Sequence, residues 1–377
     1  MPLHLIIAFI SLFTLPALAV DAPTPSAPDI DTRAFVIMDF DSGQILAEKN
    51  ADESMEPASI TKLMSAYVVF NELQNNTLSL SDTVRISKKA WQMEGSRMFV
   101  KVGSKVNIAD LLKGVIIQSG NDATVALAEK VAGTESSFAN LMNHHAQELG
   151  LTHTHFVNST GLPNKEHYMS ARDIAELSRA LIKRFPEYYN WYSEQEFRYN
   201  DITQYNRNLL LGRDKSVDGV KTGHTKSAGY CLVTSAKRDD MRLITVVLGT
   251  KSKEARADTS QSLLDYGFRF FETHKLYDTG QQITSTRVWK GSEKNINLGL
   301  QESLFITIPR GQYDKLNASM QTGELIMAPI EQGTMLGNIN ITLNGNLVSE
   351  KPLIALTTVA EGSLWQRLLD SALLYFE

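Results

Sequence analysis

Apolar positions along this chain switch between two periods, and the switches outline the architecture. Short apolar runs at 34–38 and 44–47 flank Asp41-Ser42-Gly43 and predict a β-hairpin closed at that turn. Ile60, Leu63, Met64, Tyr67, Val68 and Phe70 then recur at helical spacing behind Pro57, which fits a first helical position because its missing N–H needs no partner there. From 81 to about 200 the pattern is mostly helical, with apolar stripes at 109–118, 123–131, 136–149 and 171–184. The break Gln118-Ser119-Gly120-Asn121-Asp122 between two of these stripes is built of turn-favouring residues and predicts an inter-helix loop. Strand patterns return at 217–222, 230–236 and 243–248, with Arg238-Asp239-Asp240 as a hairpin turn, and a long amphipathic helix follows at 255–271. A hairpin, a helix, an all-helical insert, three strands and a closing helix imply an α+β domain: one antiparallel sheet covered by helices, with a helical subdomain inserted.

After about 276 the pattern changes to short β runs at 283–288, 296–298, 304–308, 325–328, 339–343 and 353–358, separated by Gly, Asn and Pro. That spacing predicts a small all-β sandwich without catalytic groups. Residues 363–377 set Leu364, Trp365, Leu368, Leu369, Ala372, Leu373, Tyr375 and Phe376 against Gln366, Arg367, Asp370 and Ser371. This is an amphipathic helix, expected to lie on a membrane surface; packing against the β domain is the alternative. Arg367 is outweighed by Asp370 and Glu377, so attraction to acidic lipid is not the driving force.

The first nineteen residues hold no Asp, Glu, Lys or Arg, and their apolar run at 5–15 precedes Ala17-Leu18-Ala19. The pattern is that of an export signal cleaved after Ala19, with a retained anchoring helix as the alternative, although only His4 stands where Lys or Arg is usual. The expected organisation is a signal peptide (1–19), a proline-containing flexible lead-in (20–30), the α+β domain (31–275), the β-sandwich (276–360) and the amphipathic helix (361–377). These segments place the chain outside the cell membrane, in the periplasm or peripherally attached to the outer face of the cytoplasmic membrane.

Composition narrows the function by exclusion. Among 377 residues the charged fraction is 21%, the net charge is −5 and no basic block occurs, so nucleic acid is not an expected partner. Cys231 is the only cysteine, which rules out an intrachain disulfide, and its apolar surroundings make it a core residue rather than a nucleophile. The sequence holds no metal-ligand set; Asp122, Lys226 and the pair His144-His145 read as solvated or supporting groups, and no cofactor is expected.

Candidate chemistry lies in Ser59-Ile60-Thr61-Lys62. Residues three apart share a helix face, so the Lys62 amine can reach the Ser59 hydroxyl. A lysine can take that proton only if burial or a neighbouring cation keeps it neutral. A chain of this length contains about one or two such spacings by chance, so the motif needs company. It has two companions: Ser119-Gly120-Asn121 on the predicted loop and Lys221-Thr222-Gly223 at the end of a predicted strand.

In this order the three motifs resemble the Ser-x-x-Lys, Ser-x-Asn and Lys-Thr-Gly set of penicillin-binding proteins and serine β-lactamases. With Asn206-Arg207-Asn208 and Asp218-Gly219-Val220-Lys221-Thr222-Gly223-His224-Thr225, the chain is similar to the low-molecular-mass D-Ala-D-Ala carboxypeptidases, in particular the membrane-attached members with a C-terminal β domain. The resemblance implies a penicillin-binding/serine β-lactamase-like fold and an acyl-enzyme mechanism on peptidoglycan stem peptides ending in D-Ala-D-Ala. Ser59 would attack the carbonyl between the two D-alanines, Lys62 would take its proton under pressure from the nearby cation Lys221, and Ser119 would relay a proton to the departing amine. Asn121 would bond the substrate amide and Lys62, and the backbone N–H groups of Ser59 and His224 would receive the oxyanion. Lys221, Thr222 and Arg207 would hold the terminal carboxylate, although Arg207 has the alternative of pinning the Asn-Arg-Asn turn. β-Lactams would acylate the same serine. The nearest rivals are a D,D-endopeptidase using the same residues and a non-catalytic penicillin-binding scaffold; a β-lactamase would need a hydrolysing glutamate that has no counterpart here. The segment 91–99 is shorter than in the best-known members, which bears on substrate preference.

Overall fold

The structure, a computed structural model, describes residues 25–376. The expected signal peptide, the start of the lead-in and Glu377 lie outside the described residues. Strands β1 (Ala34–Asp39) and β2 (Ile45–Lys49) form the hairpin read from the sequence, with Ile37 opposite Ala47. Successive strand residues point to opposite faces, and β1 serves two cores accordingly: Ala34, Val36 and Met38 enter one, Phe35 and Ile37 the other.

The chain then passes through a 3-10 turn, Ala58–Thr61, into α1 (Lys62–Gln74). Pro57 therefore caps a tight turn instead of opening an α-helix, and Ala58 takes a φ of +49° at the bend. An inserted region follows: β3 (Thr83–Arg85), α2 (Lys88–Trp91), β4 (Lys105–Asn107), α3 (Ile108–Lys113), α4 (Asn121–Ala132), α5 (Glu135–Glu148), α6 (Ala171–Arg184), α7 (Pro186–Tyr189), β5 (Glu196–Tyr199), β6 (Ile202–Tyr205) and α8 (Leu210–Arg213). Asn107, Thr134 and Ser170 start α3, α5 and α6 by accepting the backbone N–H three residues on. The hairpins β3–β4 and β5–β6 add strands within and just past the stretch from 81 to about 200 that the pattern reads as mostly helical. Their three- and four-residue strands are too short to establish a period.

Strands β7 (Val217–Thr225), β8 (Gly229–Arg238) and β9 (Met241–Thr250) complete an antiparallel sheet in the order β2-β1-β9-β8-β7. Helix α9 (Lys253–Phe270) covers one face, where Leu263 and Leu264 share a core with Leu232, Leu243 and Val247. The other face presents Val233, Ile244, Val246 and Leu248 to α1 and the inserted helices. Cys231 lies in that core, where burial pushes its thiol up to about 11.

The remaining strands are β10 (Phe271–Tyr277), β11 (Thr284–Arg287), β12 (Asn295–Gly299), β13 (Leu304–Pro309), β14 (Leu316–Thr322), β15 (Met335–Leu343) and β16 (Asn346–Ala355). A β10–β13 pair and a sheet in the order β11-β12-β16-β15-β14 enclose Ile296, Leu298, Ile306, Ile308, Ile339 and Leu353. The apolar run at 325–328 forms only an isolated bridge, Trp289 to Met327. The mostly polar β14, an edge strand, had no sequence signal. Buried Asp39 joins the two parts: one carboxylate oxygen accepts the Ser42 N–H and hydroxyl, each at 2.8 Å, and the other accepts the Thr273 hydroxyl at 2.7 Å. Helix α10 (Leu364–Leu373) ends the described chain with a capping box formed by Ser363 and Gln366.

Candidate active site

Edge strand β7 and the 3-10 turn carrying Ser59 lie against each other because glycine allows it. A Cβ built at Gly223 would stand 2.8 Å from the Pro57 carbonyl oxygen, and one built at Gly161 would overlap that of Ala58. These close approaches seat Ser59, Ser119, Asn121, Arg207, Thr222 and His224 around one cleft of about 690 Å³. Ser59 is half-buried and open to the cleft.

Lys62, the first residue of α1 and 1% exposed, points its Nζ at the Ser59 hydroxyl oxygen, 3.0 Å away, and donates to the Thr160 carbonyl at 2.7 Å. Burial, with the Arg207 guanidinium acting through space in the same direction, brings its amine down from the usual lysine range to about 7. The sequence reading assigned this pressure to Lys221; desolvation dominates instead, and the contributing cation is Arg207. Lys221 is itself buried and donates to the Ser119 hydroxyl at 2.9 Å and to the Thr222 carbonyl at 3.2 Å. Burial first, then Lys62, Arg207 and Arg256, push its amine well below the ordinary value.

The Ser119 loop is set by an unusual helix end. After α3 the chain widens into a π turn, Gly114–Gln118, and Ser119 turns it with a left-handed φ of +66°. Asn121 does not meet Lys62 as expected: its Nδ2 donates to the Glu94 carbonyl at 2.6 Å, and its buried Oδ1 has no partner. A buried amide oxygen left unpaired at a cleft is an acceptor held for a ligand N–H. Asp122, expected as a solvated or supporting group, is buried and accepts the backbone N–H groups of Met98, Phe99 and Val100 at 2.9, 2.9 and 3.2 Å. It thereby holds the end of segment 91–99, whose Glu94 and Ser96 carbonyls bind Asn121.

The far end of the cleft is cationic. Arg256, which the sequence reading missed because nothing near it in sequence marks it, donates from α9 to the Gly223 and Cys231 carbonyls at 3.2 and 3.3 Å. It also donates to the Arg207 carbonyl at 3.3 Å, which places Arg207 at the wall. Among the described residues the Arg207 guanidinium and the Thr222 hydroxyl have no hydrogen-bond partner, and none of Lys221, Arg207 and Arg256 is paired with a carboxylate. Cations gathered without counter-charge favour an anionic ligand group. Ser59 has a first-turn N–H without an intrahelical partner, and His224 lies on the outer strand β7 with its exposed ring over Tyr230 at 4.0 Å. His144 and His145 face Glu148 on α5, outside this cleft, and no three metal-ligating side chains cluster among the described residues. The arrangement suits acyl transfer: a nucleophile beside a buried, near-neutral amine, a second hydroxyl held by a lysine, and an anion site.

Comparisons with known proteins bear on the family and the fold. Residues 21–252 match the family model described as D-alanyl-D-alanine carboxypeptidase, and residues 271–361 match that of the penicillin-binding protein 5 C-terminal domain. The chain is 46% identical to D-alanyl-D-alanine carboxypeptidase DacC of Escherichia coli K12 over 98% of its length and 94% of the relative's. It is 40% identical to DacA of the same organism over the same shares. The crystal structure of penicillin binding protein 5 from Haemophilus influenzae matches with a TM-score of 0.87 at 39% identity, over 89% of this chain and all of that one. The fold is thus the penicillin-binding, β-lactamase-like one followed by a β-sheet domain, and the chain belongs to the D-alanyl-D-alanine carboxypeptidase family of serine peptidases.

Proposed function

We propose that the chain is a serine D-Ala-D-Ala carboxypeptidase that removes the terminal D-alanine from peptidoglycan stem pentapeptides and is acylated by penicillins. One observation carries this reading: the Ser59 hydroxyl lies 3.0 Å from the Lys62 amine, which sits near neutrality, at a cleft lined by Arg207, with Lys221 buried behind Ser119 and facing no carboxylate. The terminal carboxylate docks on Lys221, Thr222 and Arg207, which sets the scissile carbonyl over Ser59. Lys62 takes the hydroxyl proton as Oγ attacks, and the Ser59 and His224 N–H groups receive the oxyanion. Ser119 passes a proton to the D-alanine nitrogen as the C–N bond breaks; Asn121 Oδ1 holds the amide of the acyl side. Water then cleaves the ester and returns Ser59.

The enzyme is also proposed to be exported and to lie peripherally on the outer face of the cytoplasmic membrane. No helix among the described residues is long and apolar enough to cross a membrane. Helix α10 nevertheless leaves Trp365 at 77% and Leu368 at 62% exposure, and Asp370 on its polar side accepts the Lys290 N–H at 2.6 Å. Its apolar side is therefore left outward, as membrane contact requires.

The test is D-alanine release from a peptide ending in D-Ala-D-Ala, with Ser59→Ala beside it; equal background from both would favour a scaffold. Rates on a cross-linked dimer separate carboxypeptidase from endopeptidase. Deleting 363–377 should release the protein from membranes, and unchanged partitioning would return the helix to the β domain.

A further inference from the structure

Behind the Ser59–Lys62 pair lies a layer of polar groups that the reaction does not touch. The segment 156–161 turns beneath α1, where the Ser159 carbonyl accepts the Ser65 hydroxyl at 2.6 Å and the Thr160 carbonyl accepts the Lys62 amine at 2.7 Å. Asn158 Oδ1 fixes the turn by accepting the Thr160 and Gly161 N–H groups at 3.1 and 2.7 Å. Glu135 holds Ser159 by its N–H and hydroxyl.

Buried His167 spans this segment and the nucleophile turn. Its Nδ1 accepts the Val157 N–H at 3.2 Å, so that nitrogen carries no proton, and its Nε2–H is left to donate to the Thr61 hydroxyl at 2.8 Å. One ring thus fixes the carbonyl-bearing segment against the residue between Ser59 and Lys62.

We infer that His167 is a positioning residue for the proton transfer: it holds the Thr160 carbonyl at the distance that sets the rotation of the Lys62 amine. The inference rests on the reading of Lys62 as the base. A neutral amine has two N–H bonds and one lone pair; with one N–H committed to Thr160, the lone pair can be turned to the Ser59 hydroxyl. His167 touches neither substrate nor nucleophile and moves no proton in the reaction.

The test is single-turnover acylation by a fluorescent penicillin from about pH 5.5 to about pH 9, normalised to titrated active sites. Wild type is compared with His167→Asn, which keeps an acceptor near Val157, and His167→Gln, which keeps a donor near Thr61. Each variant is expected to lower the high-pH plateau about tenfold or more. The midpoint of the acid limb should also move to lower pH, because a carbonyl that favours the charged amine is no longer held in place. Affinity for free D-alanine, which lacks an acyl carbonyl to attack, should be unchanged. A plateau equal to wild type, or one lowered with an unmoved midpoint, would overturn the inference. A wild-type profile without an acid limb near neutrality would instead remove the underlying reading of Lys62.

Discussion

Replacing Lys62 by arginine isolates the claim that burial makes a lysine into a base. An amine at about 7 is about half neutral at neutral pH, whereas one at the ordinary lysine value is neutral in only about three molecules in ten thousand. Desolvation and the Arg207 charge therefore raise the reactive fraction roughly a thousandfold, and the underlying shift corresponds to about 5 kcal/mol of differential interaction between the two protonation states. Arginine retains the positive charge but cannot surrender its proton. The assay is the second-order acylation rate with a penicillin whose carboxylate stays ionised throughout. Wild type should gain about tenfold per pH unit below the midpoint and level off above it, and Lys62→Arg should fall by about a hundredfold to ten-thousandfold. A wild-type limb centred two or more units from neutrality, or a Lys62→Arg rate within tenfold of wild type, would refute the reasoning.

Arg207→Ala should lower kcat/KM on carboxylate-terminated peptides by about tenfold to a hundredfold, the equivalent of one charge-assisted hydrogen bond, and should move the acid limb upward as its pressure on Lys62 is lost. Rates on substrates lacking the carboxylate test the first part. Gly161→Ala should cut acylation by more than about tenfold, since its Cβ meets the Ala58 carbonyl and its φ is +81°; intact mass after penicillin reads this. Asp39→Ala should destabilise the fold by about 2–4 kcal/mol and split the calorimetric transition, because the groups of Ser42 and Thr273 lose a shared buried acceptor. His167, held by burial at about 4 against an ordinary 6.5, binds a proton more readily unfolded than folded. Its contribution is complete above about pH 6.5 and is lost as pH falls towards 4, amounting to about 3 kcal/mol; urea melts of wild type against His167→Asn across that window measure it.

Order and periodicity made the sheet legible. The runs at 34–38, 230–236 and 243–248 became β1, β8 and β9, because each must bury both faces and so carries apolar residues at nearly every position. The stripe at 171–184 became α6 for the complementary reason, an apolar face at helical spacing behind the Ser170 cap. The strands that stayed hidden, β14 above all, lie at an edge where polar side chains meet water and leave no pattern. At the site, side chains could be read and backbone could not. Ser59, Lys62, Ser119 and Lys221 announced themselves, whereas the Thr160 carbonyl that holds Lys62 has no residue signature. Arg256 was invisible because α9 brings it to the cleft from a distant part of the chain. Asp122 could be read only as a solvated or supporting group, and which of the two stayed open because its partners are backbone N–H groups of a loop some twenty residues away.

The cleft is built against the rule that buried polar groups find partners. Among the described residues Asn121 Oδ1 is orphaned, Lys221 faces no carboxylate, and the Arg207 guanidinium and Thr222 hydroxyl have no hydrogen-bond partner. Each such group weakens the empty fold, and the rest of the molecule shows that the chain can satisfy polar groups: Asp39, Asp122 and His167 are all buried and all paired. Partnerless buried polar atoms also occur away from the cleft, among them Thr234 Oγ1, Ser260 Oγ and Asn340 Oδ1, but those lining the cleft are the ones that an acyl amide and a terminal carboxylate would complete. A ligand bearing both should raise the melting temperature more than the sum of two ligands bearing one each. Burial and the neighbouring cations lower the Lys221 amine, and a carboxylate docked beside it would act in the opposite direction, whereas Lys62, which contacts Ser59 instead of Ser119, has to be neutral to act as a base. On the proposed mechanism, the anion that orients the substrate would thus divide two buried lysines into a binding cation and a base.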